Sequence, residues 1–195
     1  MILRVSHPSR PAYAPNGTAE IVEAIDTAIG SLQPRQTFDN GTFFPGSMAS
    51  FAFFTANSDI SDSRLYLSAN QSLGYGAIVW EVDGNSERCR TGGIYASTWI
   101  SDNPTPPDFD PKLVAETGYP RYHVRESILP LEAIRRAVLE FCESPTGERP
   151  TCIQWAEGFS DGQRFDQGAL DEEELSDEPS GWLEEIRRMK AEGII

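Results

Sequence analysis

Residues 125–155 run RESILPLEAIRRAVLEFCESPTGERPTCIQW, and the change of pattern inside them decides the fold class. Pro130 stands where a first helical turn begins, a position that needs no backbone N–H. Leu131, Ile134, Val138, Phe141 and Cys142 then recur at helical spacing as one apolar stripe. Glu132 and Arg136 pair at i, i+4 on the opposite face. Pro145-Thr146-Gly147-Glu148-Arg149-Pro150 closes the helix, and residues 151–155 (TCIQW) have the composition of a short strand. An amphipathic helix followed by a strand predicts helices packed on a sheet.

Working outward, strand signals dominate the middle of the chain. Residues 50–55 (SFAFFT), 64–68 (RLYLS) and 76–82 (GAIVWEV) are short and rich in aromatic and β-branched side chains, and Ile78, Trp80 and Val82 share a face. Asp83-Gly84-Asn85 is a turn signal, and a further strand is expected over residues 93–99 (GIYASTW). Four such strands joined by turns make an antiparallel meander. Residues 101–111 (SDNPTPPDFDP) hold four prolines and cannot be sheet interior. Before the strands, residues 18–32 place Ile21, Ile25, Ala28, Ile29 and Leu32 on one helical face, with Thr18 as N-cap and Pro34 as terminator. A Pro-rich leader precedes this helix, and residues 37–46 form a loop with aromatic anchors. The expected fold is therefore α+β: an antiparallel sheet of about five strands, with the helices at 18–32 and 130–143 packed on one face. Residues 1–156 form one domain. Residues 157–195 are an acidic extension with the run Asp171-Glu172-Glu173-Glu174 and a short amphipathic helix at 181–192, where Trp182, Ile186 and Met189 share a side.

The 195 residues suffice for one ordinary core. The net charge is −14, and residues 157–195 hold 12 acidic against 4 basic side chains. Such a surface repels phosphate backbones and anionic membranes and attracts basic proteins, though solubility alone also accounts for it. No apolar run approaches the roughly 18 residues of a membrane span, and Met1–Pro8 has no stretch of signal-peptide length, so a cytoplasmic protein is expected. Cys89, Cys142 and Cys152 are odd in number and scattered, which suits small buried hydrophobes better than disulfides or zinc.

Motifs for chemistry are nearly absent. The two histidines, His7 and His123, read as structural, since a lone His-x-x-Glu at 123–126 is too common to mark a site. Gly46-Ser47-Met48-Ala49-Ser50 begins like a nucleophile elbow but ends in serine. Gly74-Tyr75-Gly76 lacks the third glycine of a dinucleotide fingerprint, and neither lysine, Lys112 or Lys190, follows a glycine-rich loop. Asp59-Ile60-Ser61-Asp62-Ser63 lacks the glycine and closing glutamate of a calcium loop. The expectation is no enzyme, no cofactor and no metal. A carboxylate pair assembled in space remains the opening for a hydrolase.

The 125–155 stretch resembles the C-terminal half of the first-named immunity-protein family of bacterial polymorphic toxin systems. The shared pattern is a Ser-x-x-Pro helix start, a helix ending in Phe, a Thr-Gly-x-Arg-Pro turn and a strand closing on Trp. With Gly74, Gly76, Trp80 and Gly93 upstream, the resemblance covers residues 40–156 and leaves out the acidic tail. It implies a cytoplasmic antitoxin that binds and neutralises a cognate toxin, often a nucleic-acid deaminase whose basic groove an acidic inhibitor would occlude. Nucleic acid and membrane are not expected partners. Candidate interface residues are Asp102, Asp108, Phe109 and Asp110 in the Pro-rich loop and Glu172, Glu173, Glu174 and Trp182 in the tail, since aromatic anchors amid charge form hot spots. Trp80, Trp99 and Trp155 read as core. The competing functions are the hydrolase and an acidic regulatory adaptor or nucleic-acid mimic acting through the tail.

Overall fold

A computed structural model describes residues 1–56, 58–118 and 121–167. In chain order, a hairpin of β1 (Ile2–His7) and β2 (Arg10–Tyr13) leads to α1 (Thr18–Ser31) and a small hairpin of β3 (Gln36–Thr37) and β4 (Phe43–Phe44). The meander follows as β5 (Ala49–Phe54), β6 (Ser61–Asn70) and β7 (Tyr75–Val82), and after α2 (Glu87–Arg90) as β8 (Thr98–Asp102). A second small hairpin, β9 (Val114–Glu116) and β10 (Arg121–Tyr122), precedes β11 (Leu129–Pro130), α3 (Leu131–Glu143) and β12 (Gln154–Gly158).

The main sheet has eight strands in the order β12-β8-β7-β6-β5-β1-β2, with β11 paired to β7 as well. Every pairing is antiparallel. Strand alternation sends Leu3, Val5, Phe51, Phe53, Leu65, Leu67, Ile78, Trp80 and Val82 to one face, and the registers set Val5 beside Phe51, Phe51 beside Leu65, and Leu65 beside Trp80. Ala24, Ile25, Ala28 and Ile29 of α1 and Ile134, Ala137, Val138, Phe141 and Cys142 of α3 close over that face in a single core. Gly76 marks a close approach of α3 to the sheet, since a Cβ there would meet Ile134 Cγ1 at 3.1 Å.

The α+β class and the two-helix layer match the sequence-based expectation, and the sheet is larger than the five strands anticipated. The leader contributes two strands, because Leu3, Val5 and His7 alternate inward although Pro8 and Pro11 flank them. Residues 93–96 form a 3-10 turn, and β8 begins only at Thr98, since Gly92 and Gly93 both hold positive φ and turn the chain away from the sheet. The N-cap of α1 is Gly17 rather than Thr18, and Pro130 is the N-cap of α3. The aromatic loop at 37–46 is tied by the β3–β4 ladder. The cysteines divide: Cys142 is buried, Cys89 is half-buried and Cys152 is exposed.

The Thr-Gly-x-Arg-Pro turn works as a clamp. Ser63 Oγ and Arg88 Nη1 donate to the Thr146 carbonyl at 3.0 and 2.7 Å, and the Trp80 indole N–H donates to the Gly147 carbonyl at 3.1 Å. Arg88 also bridges Asp62 at 2.9 Å and Glu148 at 3.0 Å. The Arg149 guanidinium lies 4.0 Å from the centroid of the Trp99 ring, and the Trp155 indole donates to the Pro150 carbonyl at 2.8 Å. Trp80 is fully buried, while Trp99 and Trp155 are half-buried against the core. The residues that carry the sequence pattern thus hold the end of α3 to the sheet.

Candidate functional site

The face of the sheet opposite the helices is covered in part by loops. Ser68 Oγ donates to the Val114 carbonyl, and Ala77, Leu113 and Ile128 form a second small buried cluster with Tyr75 packed against it. Three segments meet on the β9–β10 hairpin. Gly46 lies so close to it that a Cβ would meet Val114 Cγ1 at 3.1 Å, and the Arg35 guanidinium sits 5.4 Å from the Tyr122 ring centroid. Gly162 is likewise pressed against Ala115 and His123, where a Cβ would stand 2.4 Å and 3.2 Å from their atoms. The loop at 103–112 runs directly into Leu113 and is fixed at its start by Asn103, whose amide donates to the Ile128 carbonyl at 2.5 Å.

His123, anticipated as a structural histidine, lies under this junction. Its backbone N–H donates to the Leu113 carbonyl, but its Nδ1 has no hydrogen-bond partner among the described residues. Burial lowers its pKa from the usual 6.5 to about 4, so the ring is neutral near pH 7. The adjoining seam of Arg121, Tyr122, Asp161, Gly162 and Arg164 encloses a void of about 10 Å³, room for one water at most.

Each segment that meets on the hairpin exposes a phenylalanine beside an aspartate. Phe38 precedes Asp39 at the β3–β4 tip, Phe109 stands between Asp108 and Asp110, and Phe165 precedes Asp166. Phe38 and Phe109 are 49% and 41% exposed, and Phe109 packs edge-on against Tyr75 at 5.4 Å. Phe159 and Phe165 are 54% and 55% exposed and stack edge-to-face with centroids 4.8 Å apart. Large apolar rings held at loop tips amid acids are what protein-recognition anchors require.

The anticipated residues distribute unevenly over this surface. Asp108 and Phe109 are exposed at the tip of the Pro-rich loop, and Asp110 beside them accepts from the Lys112 backbone N–H at 2.8 Å and its Nζ at 3.1 Å. Asp102 is half-buried with its carboxylate on Arg164 at 2.7 Å, so it acts as an internal strut. Glu172, Glu173, Glu174, Trp182 and the helix expected at 181–192 lie outside the described residues. The sequence places Phe38 among the aromatic anchors of the 37–46 loop without marking it as an interface residue, and it gives no such reading for Phe159 and Phe165. The signal for the last two was present in FSDGQRF at 159–165, an Asp-Gly turn framed by phenylalanines.

The reactive-looking groups are occupied structurally. His7 is buried with its Nδ1 on the hydroxyls of Ser9 and Ser31 at 2.9 and 3.2 Å. Burial raises the Cys142 thiol pKa, and burial with the neighbouring Glu140 pushes the Cys152 thiol up to about 11, the reverse of nucleophile activation. Glu140 accepts instead from the backbone N–H groups of Thr151 and Cys152 at 2.7 and 3.1 Å. Among the described residues, no group of three or more His, Cys, Asp or Glu is placed to hold a metal ion. Nor is any helix there long and apolar enough to cross a membrane.

The described residues thus form a clamped sheet-and-helix body that carries acid-flanked aromatic side chains at its loop tips. The chain matches the family model described as immunity protein Imm1 over residues 16–157, most of its length, and it belongs to that family. It is therefore an immunity protein of a polymorphic-toxin system, a non-enzymatic inhibitor of a toxin. No curated protein and no solved structure matched the chain.

Proposed function

We propose that this immunity protein neutralises a nucleic-acid deaminase toxin in the cytoplasm by docking its loop-covered sheet face over the toxin's basic active-site region. The carrying observation is the convergence of three segments on the β9–β10 hairpin, each presenting an exposed phenylalanine next to an aspartate. The apolar rings supply contact area, and the acids match the cationic groove that a nucleic-acid enzyme needs for its substrate. The net charge of −14 steers the encounter, so association is fast and salt weakens it. Binding is stoichiometric and requires no cofactor, with Kd on the order of nanomolar or below.

Co-expression with the toxin encoded beside it tests this reading. The expected result is restored growth and a 1:1 complex that survives purification. A toxin that kills at the same rate with and without the protein, and elutes apart from it, would overturn the proposal. The adaptor reading places recognition in the acidic tail instead, and a truncation ending at Gln167 separates the two.

A further inference from the structure

We infer that the short hairpin at the end of the family-matched body, residues 157–167, is the partner-specific anchor of this protein, seating Phe159 and Phe165 together in an apolar, basic-rimmed cleft of the cognate toxin. The inference rests on the toxin-binding reading above and adds which element carries selectivity.

The hairpin is held far more firmly than a solvated turn needs. The Phe159 N–H donates to the Gln163 carbonyl at 2.8 Å, the Gly162 N–H to the Phe159 carbonyl at 3.0 Å, and the Phe165 N–H to the Glu157 carbonyl at 2.9 Å. Gly158 leaves no room for a side chain, since a Cβ would fall 2.3 Å from the Gln163 carbonyl and 2.4 Å from Ile100 Cδ1. Arg164, only 6% exposed, fastens the outer strand by reaching Asp102 at 2.7 Å, Asp166 at 2.6 Å and the Glu126 carbonyl at 3.1 Å. Asp161 pairs with Arg121. This closely fastened segment nevertheless holds both of its phenylalanine rings half exposed. Two adjacent rings ordered before binding lose little conformational freedom on contact, which is how an anchor gains affinity.

The chemistry of the occupant follows from the surroundings. Glu157 lies beside the rings, Asp161 and Asp166 are each paired with an arginine, and the sequence continues through residues 168–195 with nine acidic against three basic side chains. A ring pair inside such a negative field fits a cleft with an apolar floor and Lys or Arg at its rim, and disfavours an acidic or phosphate-bearing partner. The family match ends at residue 157, so most of this hairpin lies outside it.

The test is the double substitution Phe159→Ala, Phe165→Ala in the full chain, measured by calorimetry against the toxin domain encoded beside it and by growth protection. Both rings are half exposed, so the melting temperature stays near wild type while affinity falls about a hundredfold, the scale of losing two hot-spot residues. A second variant, Phe159→Leu, Phe165→Leu, recovers part of that loss by restoring apolar area. Near-wild-type binding by the alanine variant, in a complex that the wild-type chain forms normally, would sink the hairpin anchor and leave the toxin-binding reading intact. Absence of any wild-type complex would overturn both.

Discussion

Replacing Gly147 by alanine probes the clamp that joins the end of α3 to the sheet. Gly147 holds φ +64°, a left-handed conformation that costs a residue with a Cβ about 1 kcal/mol or more. A Cβ there would lie 2.3 Å from Ser63 Oγ, 2.5 Å from Phe53 Cδ2 and 2.9 Å from Phe141 Cε2, all inside van der Waals contact. Phe53 and Phe141 pack edge-on with centroids 5.3 Å apart, so neither ring moves without disturbing the core. Forcing a methyl group into such a site costs a further ~1–3 kcal/mol. If the turn is displaced, the Trp80 bond to the Gly147 carbonyl adds about 1 kcal/mol. The expected loss is about 3–5 kcal/mol, which for a chain of this size lowers the Tm by roughly 6–20 °C. Urea and thermal unfolding followed by circular dichroism measure it. Gly74→Ala is the control, because Gly74 also has positive φ (+75°) but nothing within 4 Å of its Cβ, and it should cost only about 1 kcal/mol. Equal losses at both glycines would refute the steric part of the reasoning, and a Gly147→Ala chain as stable as wild type would refute all of it.

Other outcomes follow from the same geometry. His123 should make stability pH-dependent: its folded pKa of about 4 lies below the ordinary 6.5, so the unfolded chain takes up a proton first as pH falls. The folded state should therefore lose about 2 kcal/mol between pH 7 and pH 5, and urea titrations of His123→Gln should show a shallower slope over that window. Substituting Arg164 by Met should strip Asp102 and Asp166 of their partner, and hydrogen exchange should show the Phe159 and Phe165 amides losing protection while the β5–β7 core keeps its own. Truncation after Gln167 removes nine acidic and three basic side chains. Stopped-flow mixing with the toxin should then show slower, less salt-sensitive association, with Kd within about tenfold of the full chain. A larger loss would favour recognition through the tail.

Much of the fold could be read from residue patterns, because its helices and central strands bury one clean face. The stripe through Leu131, Ile134, Val138 and Phe141 and the alternation Ile78-Trp80-Val82 leave little ambiguity. The strand β1 escaped because the prolines around it outweighed a six-residue alternation whose inward set ends in a histidine. The start of β8 was misplaced for a related reason: Ile94 and Tyr95 have strand-like composition, but two left-handed glycines turn them out of the sheet. At the candidate surface, Asp108 and Phe109 were legible as exposed loop residues. Asp102 could not be recognised as a strut, since its partner Arg164 lies 62 residues away. The aromatic pair at 159 and 165 was obscured by the polar composition around it, and only the folded hairpin shows both rings on one outward side. The Thr-Gly-x-Arg-Pro pattern on which the resemblance rests serves the clamp, so its residues are distinct from those proposed to meet a partner.

The most direct test of the central claim is a titration of the purified chain into its cognate toxin with catalytic activity as the readout. Activity should fall linearly and reach zero at one equivalent, with higher salt slowing the onset. Undiminished toxin activity at tenfold excess of the chain would contradict the claim.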